Sequence, residues 1–265
     1  DELSGEVVQN AVFVISKEKP TYPGVYYRLL DGSNCNAKSD MFLAGNNRYI
    51  VADQKQFEQI PGAPIAYWVS KKIRETFINN LPLSAVASPC VGLQTADNGR
   101  FVRSWFEVAK TSIGFGCAST AASVASGRKF FPYNKGGAFR KWYGNQDYVV
   151  NWENDGQEIR EFKGSVVRNP KTYFLESLSW SKISAGSIAF RYFPQGFVYD
   201  VAGTSLFAPH KQIRFFIGAL NSVVINHILK MISPTLNYEV GQIATLPIPD
   251  INNEAIDSIA GDCIS

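Results

Sequence analysis

Two stretches of this chain concentrate side chains suited to directional contacts with an anionic, base-bearing polymer. Gln94, Thr95, Asp97, Asn98, Arg100 and Arg103 fall within ten positions, in or beside a turn. Gln and Asn amides match the paired donor and acceptor of an adenine edge, and an Arg fork matches guanine or grips a phosphate. The second stretch runs from Phe130 to Asn145, where Tyr133, Lys135, Arg140, Lys141, Trp142 and Asn145 alternate with Gly136, Gly137 and Gly144. Cations there neutralise phosphates, rings wedge or stack, and glycines let a loop approach a backbone closely. An aromatic-rich loop packed on the core would use the same rings, and the sequence leaves that alternative open.

Charge points the same way. The net charge is only +3, yet Asn98 to Gln146 holds eight basic residues against the single acid Glu107. That segment is +7 and the remainder of the chain −4. A local excess of this size is the footprint of a phosphate-binding surface, although a solvated basic face has the same composition. Aromatic residues are 13% of the chain, enough to fill a core and leave rings over.

Other chemistries lack their residues. No G-x-x-x-x-G-K-[ST] run is present, and Ser112-Ile113-Gly114-Phe115-Gly116-Cys117 has only G-x-G. There is no G-x-S-x-G elbow, and the two histidines, His210 and His227, are isolated. Cys35, Cys90, Cys117 and Cys263 show no metal spacing and read as reduced thiols of a cytoplasmic protein. Glu153, Asp155, Glu158 and Glu161 cluster within nine positions but read as a solvated loop and helix face. The sequence offers no catalytic residue and no metal ligand set. The opening Asp1 to Glu6 has no signal-peptide pattern, and the longest apolar stretch, 213–232, is broken by charged and polar residues. No membrane is expected.

The elements that must position these residues read as α+β, with mixed or antiparallel sheet and packed helices. Val7-Val8 with Ala11–Ile15, and Gly24–Leu30, predict two strands of a hairpin around Lys17-Glu18-Lys19-Pro20. Residues 31–60 are polar and turn-rich. The spacing of Ile65, Trp68, Val69, Ile73 and Phe77 predicts a connector helix that ends at Asn79-Asn80-Leu81-Pro82. Strands are expected at 86–92, 148–152, 187–193 and 196–201, the last two joined by Pro194-Gln195. Phe101–Val108 fits strand or helix, and the Ala/Ser/Gly-rich stretch 111–127 is unreadable. One continuous helix is expected over 211–232, with Ile213, Phe216, Ile217, Leu220, Val224, Ile228 and Met231 on a single stripe.

Gly92-Leu93-Gln94-Thr95-Ala96-Asp97-Asn98-Gly99-Arg100-Phe101-Val102-Arg103 resembles an element of the BREX phage-defence adenine methyltransferases of PglX type. Further blocks are similar in the same order: 131–145, 149–156, Thr172–Ile183, Asn237–Ile243 and Leu246–Pro249. The likeness runs from about Pro61 to Pro249, and more loosely over the opening segment. It implies a parent enzyme that transfers a methyl group from S-adenosylmethionine to the exocyclic nitrogen of adenine through an N-P-P-Y loop. Here Asn169-Pro170-Lys171-Thr172 shares only two letters of that loop.

The expectation is therefore a non-catalytic specificity module. Residues 1–60 would be the trailing hairpin or edge of a methyltransferase domain, 61–83 the connector, 84–250 a target-recognition domain and 251–265 a tail. Its partners would be double-stranded DNA, a methyltransferase catalytic domain in cis or trans, and possible defence-system subunits. S-adenosylmethionine would belong to the parent and not to this chain. The alternatives are a protein-interaction module docking a partner subunit, and a carbohydrate-binding module using the Trp and Tyr surplus.

Overall fold

The computed structural model describes residues 11–17, 21–184, 186–233, 236–249 and 254–264. The chain divides into two compact units, Asp1–Glu58 with Ile65–Val69, and Gln59–Pro64 with Ser70–Ser265. The class is mixed α+β with small antiparallel sheets, as the sequence predicts.

In the first unit, β1 (Gly24–Tyr27) pairs antiparallel with β2 (Arg48–Val51), and α1 (Cys35–Leu43) lies between them in sequence. This corrects the expected hairpin. Residues 11–16 form no regular structure and are exposed, while 1–10 and 18–20 lie outside the described residues. The partner strand comes instead from the stretch read as turns, because aromatic pairing selects it. Tyr26 sits directly opposite Tyr49, and both pack on Tyr67, with centroids 4.8 Å and 5.3 Å away.

The second unit opens with α2 (Lys71–Asn79), β3 (Leu81–Pro82) and β4 (Ser88–Cys90). The connector helix is shorter than expected, since the Ser70 hydroxyl caps it by accepting from the Ile73 N–H. Then follow α3 (Asn98–Phe101), β5 (Val102–Ser104), α4 (Thr120–Ala125), β6 (Phe130–Asn134) and β7 (Tyr148–Asn151). Next come α5 (Glu153–Glu161), β8 (Ser177–Ser179), β9 (Arg191–Phe193), β10 (Val198–Tyr199) and β11 (Ser205–Phe207). The unit closes with α6 (Ile213–Leu220), α7 (Val223–Ile232), α8 (Val240–Ala244), β12 (Pro247–Ile248) and α9 (Glu254–Ile264).

Two four-stranded sheets dominate this unit. One has the order β10-β6-β7-β5 and the other β4-β11-β8-β9; β12 pairs separately with β3. Among the described strands, β10 and β6 alone pair in parallel. The segments 187–193 and 196–201 therefore end in different sheets, and the Pro194-Gln195 corner carries the chain from one to the other.

The expected helix over 211–232 is two helices bent by 72°. Asn221 causes the break: its side chain accepts from the Phe190 N–H at 3.0 Å and donates to the Phe190 carbonyl at 2.9 Å. Ser222 then caps the second helix through the Ile225 N–H. The break turns Val224 off the buried stripe into solvent. No single helix among the described residues is long and apolar enough to cross a membrane.

The core around the first sheet is aromatic. Phe131, Trp152, Tyr173, Phe174 and Tyr199 are buried; Phe131 meets Phe174 edge-to-face at 5.6 Å, and Tyr173 meets Trp152 at 5.1 Å and Tyr199 at 5.3 Å. At the start of α5, Asn154, Asp155 and Gly156 are all left-handed, a conformation these three residue types tolerate best. Gly156 is required there, since a Cβ would sit 2.5 Å from the Trp152 ring.

A buried amide links the two sheets. Asn134, at the end of β6, donates to Ser179 Oγ on β8 at 2.7 Å and to the Gly203 carbonyl at 2.9 Å. Its Oδ1 accepts from the Gly136 N–H at 3.1 Å. Asn134→Ala should lower stability by roughly 2–5 kcal/mol, because several buried groups lose their partner at once. A urea titration should show a lower midpoint with an unchanged m value.

Candidate nucleic-acid interface

The two candidate loops meet in a polar network. Asp97 caps α3 by accepting from the Arg100 N–H at 3.0 Å, which holds the 94–101 turn. Behind that turn the buried Thr95 hydroxyl donates to Asn98 Oδ1 at 2.8 Å. Lys135 Nζ donates to the same oxygen at 3.0 Å and pairs with Asp200 Oδ2 at 3.1 Å. Asp200 also accepts from the Tyr133 hydroxyl at 2.5 Å. Thr95, Asn98, Tyr133 and Lys135, chosen from sequence for one surface, do lie together.

Their roles differ from the expectation. Thr95, Tyr133 and Asn145 are buried, and buried side chains do not reach into a groove. Asn145 donates to the Ala138 carbonyl at 2.8 Å and adopts a left-handed φ of 57°, closing the second loop on itself. All three pack inward as part of the structure that holds the loops. Trp142 is half-buried, and its backbone bonds to Phe190 and Tyr192 beside β9. Lys141 Nζ reaches the Asn221 carbonyl at 3.1 Å. Pinned at these points, the loop turns Phe139, Arg140 and Tyr143 outward.

The cations divide similarly. Arg100 pairs with Glu158 at 2.6 Å, with both side chains about half exposed, and lies over the Phe101 and Phe162 rings. Arg103 donates to the Gly99 and Val102 carbonyls, and Arg128 to that of Thr111. Lys110, Lys129 and Arg140 are exposed and make no ion pair among the described residues. Of the eight cations in 98–146, only Arg100 and Lys135 meet a carboxylate there. Gln94 is exposed beside them.

Several contributors escaped sequence reasoning. Asp200 and Glu158 are distant in sequence from the cations they hold. Arg191, 1% exposed, bonds to Ser181 Oγ at 3.1 Å and has no carboxylate partner among the described residues. Burial lowers its pKa to about 10, with the Arg140 charge adding to the effect. Nothing in the sequence marks it, whereas the exposed rings Trp105 and Phe115 were visible as the aromatic surplus. Asn169 of the N-P-x-x run is a structural corner: it is left-handed and donates to the Val91 carbonyl at 2.9 Å.

Two bacterial proteins align with this geometry's sequence from end to end. The adenine-specific methyltransferase PglX of Lacticaseibacillus casei is 39% identical over 280 aligned positions, covering 100% of this chain and 23% of that protein. The adenine-specific methyltransferase BrxX of Escherichia coli is 35% identical over 272, covering 99% and 21%. The chain is homologous to one region of the PglX and BrxX methyltransferases. It spans less than a quarter of their length. No family model matches it.

The frame has a pH signature. Burial raises the pKa of Tyr133 well above 10, with the Asp200 charge and hydrogen bond adding to it; burial likewise raises Tyr173 and Tyr199. A folded pKa above the unfolded value means this stability is complete below pH ~10 and lost as pH rises toward the folded values. Above pH ~10 each such tyrosine should remove up to about 1.4 kcal/mol per pH unit. Absorbance at 295 nm in an alkaline titration should show these phenols ionising only as the fold is lost. Tyrosinate from all three in an intact fold would contradict the network.

Proposed function

We propose that this chain is a DNA-recognition part of an adenine-specific DNA methyltransferase, with residues 84–250 as the target-recognition domain. The observation that carries the reading is the surplus of cations in 98–146 that meet no carboxylate among the described residues. A field not neutralised internally attracts a polyanion. PglX and BrxX, by name, act on adenine, and the likeness to them makes DNA the polyanion of choice.

The labour divides by exposure. Lys110, Lys129 and Arg140 hold phosphates, and Arg103 and Lys141 add positive charge close behind. Gln94, Asn98 and Arg100 present amides and a guanidinium to base edges. Thr95, Tyr133, Lys135, Asn145 and Trp142 set the position of those groups.

Methyl transfer falls to the remainder of the parent. The described residues do not fit S-adenosylmethionine. Gly114 is pressed on the Phe131 ring, so within the G-x-G run only the exposed Gly116 has open space beside it, and a single open glycine makes no glycine-rich cradle. No step is derived through that cofactor.

Replacing Lys110, Lys129 and Arg140 together by Ala should weaken binding to every duplex. It should also flatten the slope of log K against log salt by roughly 2–3, about 0.9 for each phosphate contact. Gln94→Ala should leave that slope unchanged and relax preference at one position, worth about 1–3 kcal/mol. Anisotropy titrations over a salt series read both effects. Unchanged duplex binding in the triple variant would sink the reading, and stronger binding to an acidic protein than to DNA would favour partner docking.

A further inference from the structure

A cavity of about 350 Å³ opens beside β7 and the Pro194 corner. Four rings, Trp105, Phe115, Tyr148 and Phe197, and two amides, Gln146 and Gln195, line it, and no charged residue does. Trp105 is 50% and Phe115 54% exposed, so folding has left much of their apolar surface in water. That exposure is built in. The Gly114 N–H donates to the Phe130 carbonyl at 2.8 Å and Gly114 abuts the Phe131 ring. A Cβ on Gly196 would meet the Gly116 backbone at 3.0 Å. Phe115, between the two contacts, is held toward the cavity and not folded onto the core. The Trp105 N–H is tied to the Asp147 carbonyl at 3.0 Å, and Glu107 closes the turn by accepting from the Ser104 N–H at 2.6 Å.

Gln146 supplies the second observation. Its Oε1 accepts from the Tyr143 hydroxyl at 3.1 Å, which fixes the amide, while its Nε2 is buried without a hydrogen-bond partner. A buried donor left unpaired costs free energy that an acceptor on a ligand would recover. The fitting ligand is thus planar, apolar on its faces, uncharged, and equipped with an acceptor on its edge. A nucleobase meets all four conditions. Trp105, Phe115 and Gln146 also belong to the 98–146 segment, whose unpaired cations suit the phosphates on either side of such a base.

We propose that this cavity receives an unstacked nucleobase of the bound nucleic acid, stacked on Trp105 and Phe115 and accepting a hydrogen bond from Gln146 Nε2. The inference rests on the DNA-recognition reading and adds a receptor to it.

The test compares a fully paired duplex with the same duplex carrying one unpaired adenine, each titrated against the whole chain. The bulged duplex should bind about fivefold tighter or more, the range that stacking on an aromatic ring supports. It should also quench tryptophan fluorescence. Trp105→Ala with Phe115→Ala should erase the preference and leave paired-duplex binding in place. Gln146→Leu should reduce the preference with both rings present. Both rings are half exposed, so circular dichroism should show the fold retained. Tight binding of the paired duplex without any preference would overturn the receptor and leave the recognition reading standing. Failure to bind either duplex would remove both. A preference that survives the ring substitutions, or a proline-rich peptide or oligosaccharide that quenches where the bulged duplex does not, would also overturn it.

Discussion

The buried amide of Asn134 must find partners for its N–H groups and its carbonyl, and meeting that requirement fixes how the two four-stranded sheets sit together. Its donors reach β8 and the Gly203 turn, and its acceptor holds Gly136 at the entry to the second candidate loop. The residues on either side extend the constraint: Tyr133 and Lys135 both converge on Asp200. Three consecutive positions at the end of β6 thereby link two sheets, the 94–101 turn and the 136–145 loop. In a low-dielectric interior such a network is strongly favourable when complete and costly when one member is missing. Its geometry is therefore sharply defined.

Legibility from sequence follows from which interactions are local. The fold class, β7, the C-terminal end of α7 and the clustering of the 94–103 and 130–145 residues were readable, because they depend on periodicity, composition and spacing along the chain. The β1–β2 pairing was not, since Tyr26 and Tyr49 meet only through space, where both pack on Tyr67. The break at Asn221 was hidden for the same reason: the residue is helix-compatible until the Phe190 backbone, 31 positions away, claims its amide. Within the site, residue type singled out Thr95, Tyr133 and Asn145 but gave no sign that all three are buried. Polar and aromatic side chains that build a loop look, in sequence, like those the loop displays. Asp200 and Arg191 carried no signal, because a charge's partner in a fold is set by topology.

The cations show how the two classes separate physically. Lys135 pairs with a nearly buried carboxylate, and such a pair is retained for geometry more than for net stability. Arg100 pairs with Glu158 across a half-exposed surface, where the attraction is screened and small, so the guanidinium can exchange Glu158 for another anion at little cost. Arg103 and Arg128 spend their donors on carbonyls, which orients them without cancelling their charge. The segment thus keeps its positive field even though most of its long side chains are tethered. Tethering lowers the conformational entropy that binding would otherwise have to remove.

A frame of this kind separates stability from specificity. Gln94 and Arg140 project from turns whose backbone is held by Asp97, Asn134, Asn145 and Trp142, so a change at a projecting tip alters what is touched without altering where the tip stands. Several of these holding points have positive φ: Ala96 in the first turn, and Gly136, Gly137, Trp142, Gly144 and Asn145 in the second. A strained backbone persists only where surrounding contacts over-determine it. The loops are therefore better described as rigid mounts than as flexible fingers, and on the proposed reading a few outward side chains would decide selectivity.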